Sequence, residues 1–228
     1  KSSNIGAAKI AIVLGEDRVI RYLKAYGIGQ RTGSELPGEE GGILNPKSKW
    51  TPLSISRVAM GHEVAVTALQ MLNMLCSIAN DGFLMRPMAV DRVVNKEGRL
   101  VKQYEPYVLS RPIRQETSML MRKLLTRATE DGGTGTRARM EGYTVAGKTG
   151  SAQKPEPGGY SSTEHMASFM GFLPAEDPQI GIIVVVDEPQ PLHTGGVVSA
   201  PIFKEIAEQA VRYLDIPPIP AEQVFQFG

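Results

Sequence analysis

The sequence has a single cysteine, Cys76, so no disulfide can form within the chain. That thiol sits in an apolar helical run, residues 71–79, and reads as a buried, inert side chain rather than a nucleophile. An excess of one charge is also lacking. Lys plus Arg number 25 and Asp plus Glu 24, which excludes the basic bias of a nucleic-acid or membrane-surface binder. No apolar run reaches the ~20 residues of a membrane span, and no signal-peptide pattern occurs. The three histidines, His62, His165 and His193, include no i, i+4 pair, so a zinc site is not expected, and the sequence is read as needing no other metal or cofactor. What is present is a 42% hydrophobic fraction over 228 residues, enough for a sizeable core in one domain or two.

Hydrophobic periodicity predicts helices over 5–14 and 17–26, with Asp17 as a cap and Gly27 and Gly29 as the stop. Residues 30–62 are rich in Gly, Pro and Ser and read as a long irregular stretch of the kind that is often functional. Helices follow over 64–80, ended by Asp81-Gly82, and over 115–130, ended by Gly132-Gly133, with a hairpin at 88–104 between them that turns at Lys96-Glu97-Gly98. The period then changes to strands at 143–154, 165–172 and 179–187. The joints at 155–159 and 174–178 are too short for crossover helices, so the strands pair as an antiparallel meander. A last helix spans 198–214 and a loose tail begins at Pro217. Helices, an antiparallel sheet and a closing helix predict an α+β fold.

Residues 142–149, Gly-Tyr-Thr-Val-Ala-Gly-Lys-Thr, match the phosphate-loop pattern G-x-x-x-x-G-K-T, and the apolar run 182–186 ends in Asp187-Glu188 like a magnesium-binding strand. A phosphate loop must open a helix, whose N-terminus holds the phosphates. Here the chain continues through Gly150, Ser151 and Ala152 toward Pro155 and Pro157, where no helix can start, so the nucleotide reading is rejected. Asp187 and Glu188 are read as a strand end and charged rim.

Lys148-Thr149-Gly150 is also the K-T-G of penicillin-interacting serine enzymes, where a strand is the required context. Lys148 offers positive charge to a substrate carboxylate, Thr149 and Ser151 offer hydroxyls, and Gly150 leaves room for a ligand backbone. The Ser151 N–H offers half of an oxyanion hole. Against this stands the simpler reading of a surface strand with an exposed lysine. Ser2-Ser3-Asn4, ahead of a helix, reads either as an N-cap or as S-x-N, with Ser2 relaying a proton and Asn4 binding a substrate amide.

Further segments share one resemblance. Residues 32–39 (TGSELPGE), 60–70 (MGHEVAVTALQ, with Ala68 where proline is usual), 78–82 (IANDG), 132–136 (GGTGT), 165–174 (HMASFMGFLP) and 195–203 (GGVVSAPIF) resemble, in order, segments of class B penicillin-binding proteins. The resemblance implies the penicillin-binding transpeptidase fold, with residues 1–216 as its C-terminal portion and 217–228 as a tail. It implies a peptidoglycan D,D-transpeptidase of the division or elongation type, anchored in the bacterial inner membrane with its catalytic domain outside the cytoplasm. Its serine attacks a D-Ala-D-Ala stem peptide, an acyl-enzyme passes to a neighbouring strand, and β-lactams are trapped at the acyl stage. A glycosyltransferase partner is implied, and no nucleic acid. A β-lactam sensor of the same fold is the main alternative; a carboxypeptidase or β-lactamase is a further one.

The family nucleophile lies in S-x-x-K upstream of S-x-N. Ser151-Ala152-Gln153-Lys154 has those letters, but on a strand Ser151 and Lys154 face opposite sides, whereas the pair needs one helical turn. Ser151 is therefore rejected as nucleophile. The expectation is that the serine and the anchor precede Lys1, that losing them bares apolar surface, and that the 228 residues alone do not acylate.

Overall fold

The structure, a computed structural model, describes residues 2–219. The expected tail at 217–228 lies outside the described residues beyond 219. The chain forms two compact units.

The N-terminal unit comprises residues 3–77 and 82–114. Helix α1, Asn4–Leu14, is capped by Ser3, whose Oγ accepts from Gly6 N at 3.1 Å. Gly15, at φ 80°, breaks it from α2, Glu16–Ala25. Gly15 also takes the cap position expected of Asp17, which lies in the first turn of α2 and pairs with Lys47 at 2.7 Å. The stretch expected to be irregular contains a two-residue strand β1, Ile43–Leu44, and helix α3, Ser54–Met60. Strand β2, Val64–Ala65, pairs with β1, and helix α4 occupies Ala68–Ala79. The late start of α4 has a local cause. Thr67 Oγ1 accepts from Gln70 N (3.1 Å) while Gln70 Oε1 accepts from Thr67 N (2.9 Å), a reciprocal capping box that fixes the helix boundary. The buried Gln70 amide then donates to Gln30 O (2.6 Å) and Gly41 O (2.8 Å), holding the loop before it. Strands β3, Leu84–Met85, and β6, Val108–Ser110, pair around the hairpin of β4, Arg92–Val94, and β5, Leu100–Gln103. Asn95 Oδ1 organises the hairpin turn by accepting from Glu97 N and Arg99 N. Helix α1 is apolar nearly all round, the profile of a core helix, yet Ile5, Ile10, Ile12 and Val13 are exposed.

The C-terminal unit comprises Ser2, Ile78–Asp81 and residues from Gln115 on. Helix α5, Gln115–Thr126, ends four residues before the expected boundary. Its buried Arg122 pairs with Asp81 at 2.7 Å and its Ser118 hydroxyl donates to Ile78 O. Strands β7, Ala146–Glu156, β8, Gly159–Leu173, and β9, Ile180–Asp187, form the predicted antiparallel meander in the order β7-β8-β9. The first joint is tighter than expected: Glu156 pairs with Gly159, leaving only Pro157 and Gly158 as the turn. β7 runs straight through Thr149, so the phosphate-loop letters lie on a strand.

Helix α6, Gly195–Tyr213, packs on one sheet face through Ala200, Phe203, Ala207 and Val211, at the spacing of one helical stripe. These meet Phe169, Leu173, Ile182 and Val184, with Phe169 and Phe203 edge to face at 4.8 Å. Ser199 lies within this contact, fully buried, and its Oγ has no hydrogen-bond partner. Ser199→Ala removes an unsatisfied hydroxyl and adds the better helix former. Stability should rise by about 1 kcal/mol, read as a higher unfolding midpoint in calorimetry; a drop would mean the hydroxyl is satisfied.

Candidate active site

β7 pairs with β8 alone, so its outer edge carries no strand among the described residues. Along it, the residues singled out in the sequence are held by three separate contacts. The Lys148 ammonium donates to Ser2 Oγ at 2.9 Å and to Thr149 O at 2.7 Å. The Thr149 hydroxyl meets that of Thr134 at 2.8 Å. Ser151 Oγ accepts from Gly195 N, the first residue of α6, at 3.2 Å. Burial strips water from the Lys148 ammonium and lowers its pKa below the ordinary lysine range.

The three residues of Ser2-Ser3-Asn4 have different surroundings. Ser3 is the helix cap, and Ser2 is the hydroxyl on Lys148. Asn4 is the exposed first residue of α1, in the N-terminal unit.

At Gly150 a Cβ would meet the side-chain Oγ of Ser168, its cross-strand partner, at 2.4 Å. Gly195 and Gly196 are tighter still. A Cβ on Gly195 would stand 2.0 Å from Ser168 O and 2.5 Å from Gly150 O, and one on Gly196 2.0 Å from Thr134 O. Both contacts are with backbone, so the N-terminus of α6 is seated directly on the strand pair that carries Lys148 to Ser151.

Ser151 and Lys154 do face apart. While Ser151 meets Gly195, Lys154 binds Asp187 at 2.7 Å and Glu188 at 2.5 Å. That ion cluster explains Asp187-Glu188 as a paired strand end. Sequence reasoning did not place four neighbours of the site. Thr134 lay in the flagged 132–136 segment, but nothing local aimed it at Thr149. The Gly195 amide needed the helix boundary three residues earlier than 198. His165 and His193, separated by 28 positions, stack with ring centroids 4.2 Å apart.

Comparison with known proteins agrees with this arrangement. Residues 1–208 match the penicillin binding protein transpeptidase domain family. The chain is 36% identical to stage V sporulation protein D of Bacillus subtilis, over 95% of this chain and 34% of that protein. It is 34% identical to penicillin-binding protein PbpB of Mycolicibacterium smegmatis, over 95% and 35% respectively. Among solved structures, penicillin-binding protein 3 from Mycobacterium tuberculosis, complexed with aztreonam, superposes with a TM-score of 0.88 at 32% identity, covering 100% of this chain and 53% of that one. The chain thus spans about a third of the length of these curated relatives. No helix among the described residues is long and apolar enough to cross a membrane. The match over most of its length, together with the edge strand bearing Lys148-Thr149-Gly150, shows that the chain belongs to the penicillin-binding protein transpeptidase family.

Proposed function

We propose that this chain supplies the substrate-binding strand and proton-relay hydroxyl of a peptidoglycan D,D-transpeptidase. The observation that carries the reading is the Lys148 ammonium bound to Ser2 Oγ beside a strand whose outer edge no other strand occupies among the described residues. An extended D-Ala-D-Ala stem peptide, or a β-lactam in its place, adds along that edge as a further strand, the backbone giving affinity and the side chains selectivity. Thr149 O turns to the Lys148 ammonium; by antiparallel alternation the N–H of Ser151 faces the same way as that carbonyl, ready for a developing oxyanion. Lys148, Thr149 and Ser151 bind the terminal carboxylate, Gly150 leaves room for the ligand backbone, and Ser2 passes the proton.

The acyl-serine of an S-x-x-K pair completes the reaction in the full-length protein. No such role falls to Ser151, whose hydroxyl is engaged by Gly195 N. The bare apolar residues of α1 fit a cover supplied by other parts of that protein. The same reading places the domain outside the cytoplasm, beside the glycosyltransferase whose glycan strands it links.

Fluorescent penicillin tests this directly. The full-length protein containing this chain should be labelled covalently at one site, and the 228-residue chain alone should not. An unlabelled full-length protein would sink the transpeptidase and the sensor readings together. Release of D-Ala from a pentapeptide then separates enzyme from sensor.

A further inference from the structure

The site has a neighbour that its chemistry does not use. His165 stands on β8 opposite Gln153, and the next residue on that face, Ala167, stands opposite Ser151. His165 is therefore a diagonal neighbour of Ser151 on the sheet face that α6 covers. Its Nδ1 lies 3.1 Å from Thr163 O; a carbonyl can only accept, so Nδ1 carries the proton and the ring is fixed. Its backbone O accepts from Glu188 N at 2.9 Å, which pins the exit of β9. The chain then turns through 189–192 and lays the His193 ring on His165, 4.2 Å between centroids and 22° from parallel. Two residues later Gly195 N meets Ser151 Oγ.

We propose that His193 is a positioning residue for the acylation site: its stack on His165 fixes the loop that seats Gly195 N against Ser151. His165 is itself held twice, by its ring on Thr163 O and by its backbone O on Glu188 N, so the strand gives the His193 ring a set partner. Loss of the second ring loosens residues 189–194, and the loss reaches Ser151 through Gly195.

The inference rests on the transpeptidase reading, and one set of measurements separates the two. Acylation of the full-length protein by a β-lactam is followed over a range of β-lactam concentrations up to saturation, which separates the acylation step from initial binding. Three forms are compared: wild type, His193→Ala and His193→Phe. Failure of the wild type to acylate removes the underlying reading. If it acylates, His193→Ala should lower the rate about 5-fold or more, through the acylation step rather than initial binding, because the stack is lost. His193→Phe, which keeps a ring to stack on His165, should recover most of that rate. The unfolding midpoint of each variant shows whether it is folded. An undiminished acylation step in the folded His193→Ala variant, or no recovery in the folded His193→Phe variant, would overturn the proposal.

Discussion

Replacing Lys148 by methionine in the full-length protein should cut β-lactam acylation about 100- to 1,000-fold while leaving the fold as stable as before or slightly more so. The loss follows from what the ammonium holds. It donates to Ser2 Oγ and to Thr149 O, and it stands on the edge strand along which a substrate would lie. Two charge-assisted interactions at about 1.5–2 kcal/mol each amount to two or three powers of ten in rate. Retained stability follows from burial. Desolvation lowers the lysine pKa in the folded state, so at neutral pH the folded protein bears the cost of keeping the charge. The unfolded chain binds this proton more tightly than the folded one, so stability attributable to Lys148 rises with pH. That rise lies between its lowered folded value and the ordinary lysine value. Methionine has the length and none of the cost. The same shift sets the alkaline limb of acylation, which should fall before the ordinary lysine range is reached. A variant that acylates normally, or one that loses activity only because it unfolds, would show that Lys148 is structural.

Gly195→Ala should destabilise the protein by about 3 kcal/mol and lower its unfolding midpoint by roughly 6–12 °C. One methyl group has this effect because nothing around it can yield. The new Cβ would stand 2.0 Å from Ser168 O and 2.5 Å from Gly150 O, both backbone atoms of a paired ladder. The helix must lift from the sheet, carrying its Gly195 N away from Ser151 Oγ and loosening the Phe169–Phe203 contact about two turns along. Acylation should fall in parallel. Gly159→Ala is the control: a Cβ there meets nothing within 4 Å, so its midpoint should not move. Equal effects at the two positions would mean that the cost lies in glycine chemistry generally and not in the seat of α6.

The sequence was enough to recognise the meander of β7, β8 and β9 and the closing helix. Period-2 patterning and joints too short for a crossover leave few arrangements open. It was enough, too, to reject the phosphate loop at 142–149, because prolines and glycines after Thr149 forbid the helix that such a loop requires. Element ends were less legible. α4 begins at Ala68 because Thr67 and Gln70 cap each other and Val64–Ala65 pair with β1, while α2 takes Gly15 rather than Asp17 as its cap. Such boundaries are settled by small differences between competing hydrogen bonds.

The identity of the chemical groups was local, and their partners were not. Lys148, Thr149 and Ser151 could be named from a tripeptide and its strand. That Ser2 meets an ammonium 146 positions away, that Gly195 N reaches Ser151, and that His165 stacks with His193 depended on the sheet register and on α6 lying across it. Residue type and spacing fix what a side chain can do and which way a strand or helix points it. Contacts between segments distant in sequence exist only once the core has closed, because their chain-entropy cost is met by burial of residues such as Phe169 and Phe203, which take no part in the chemistry.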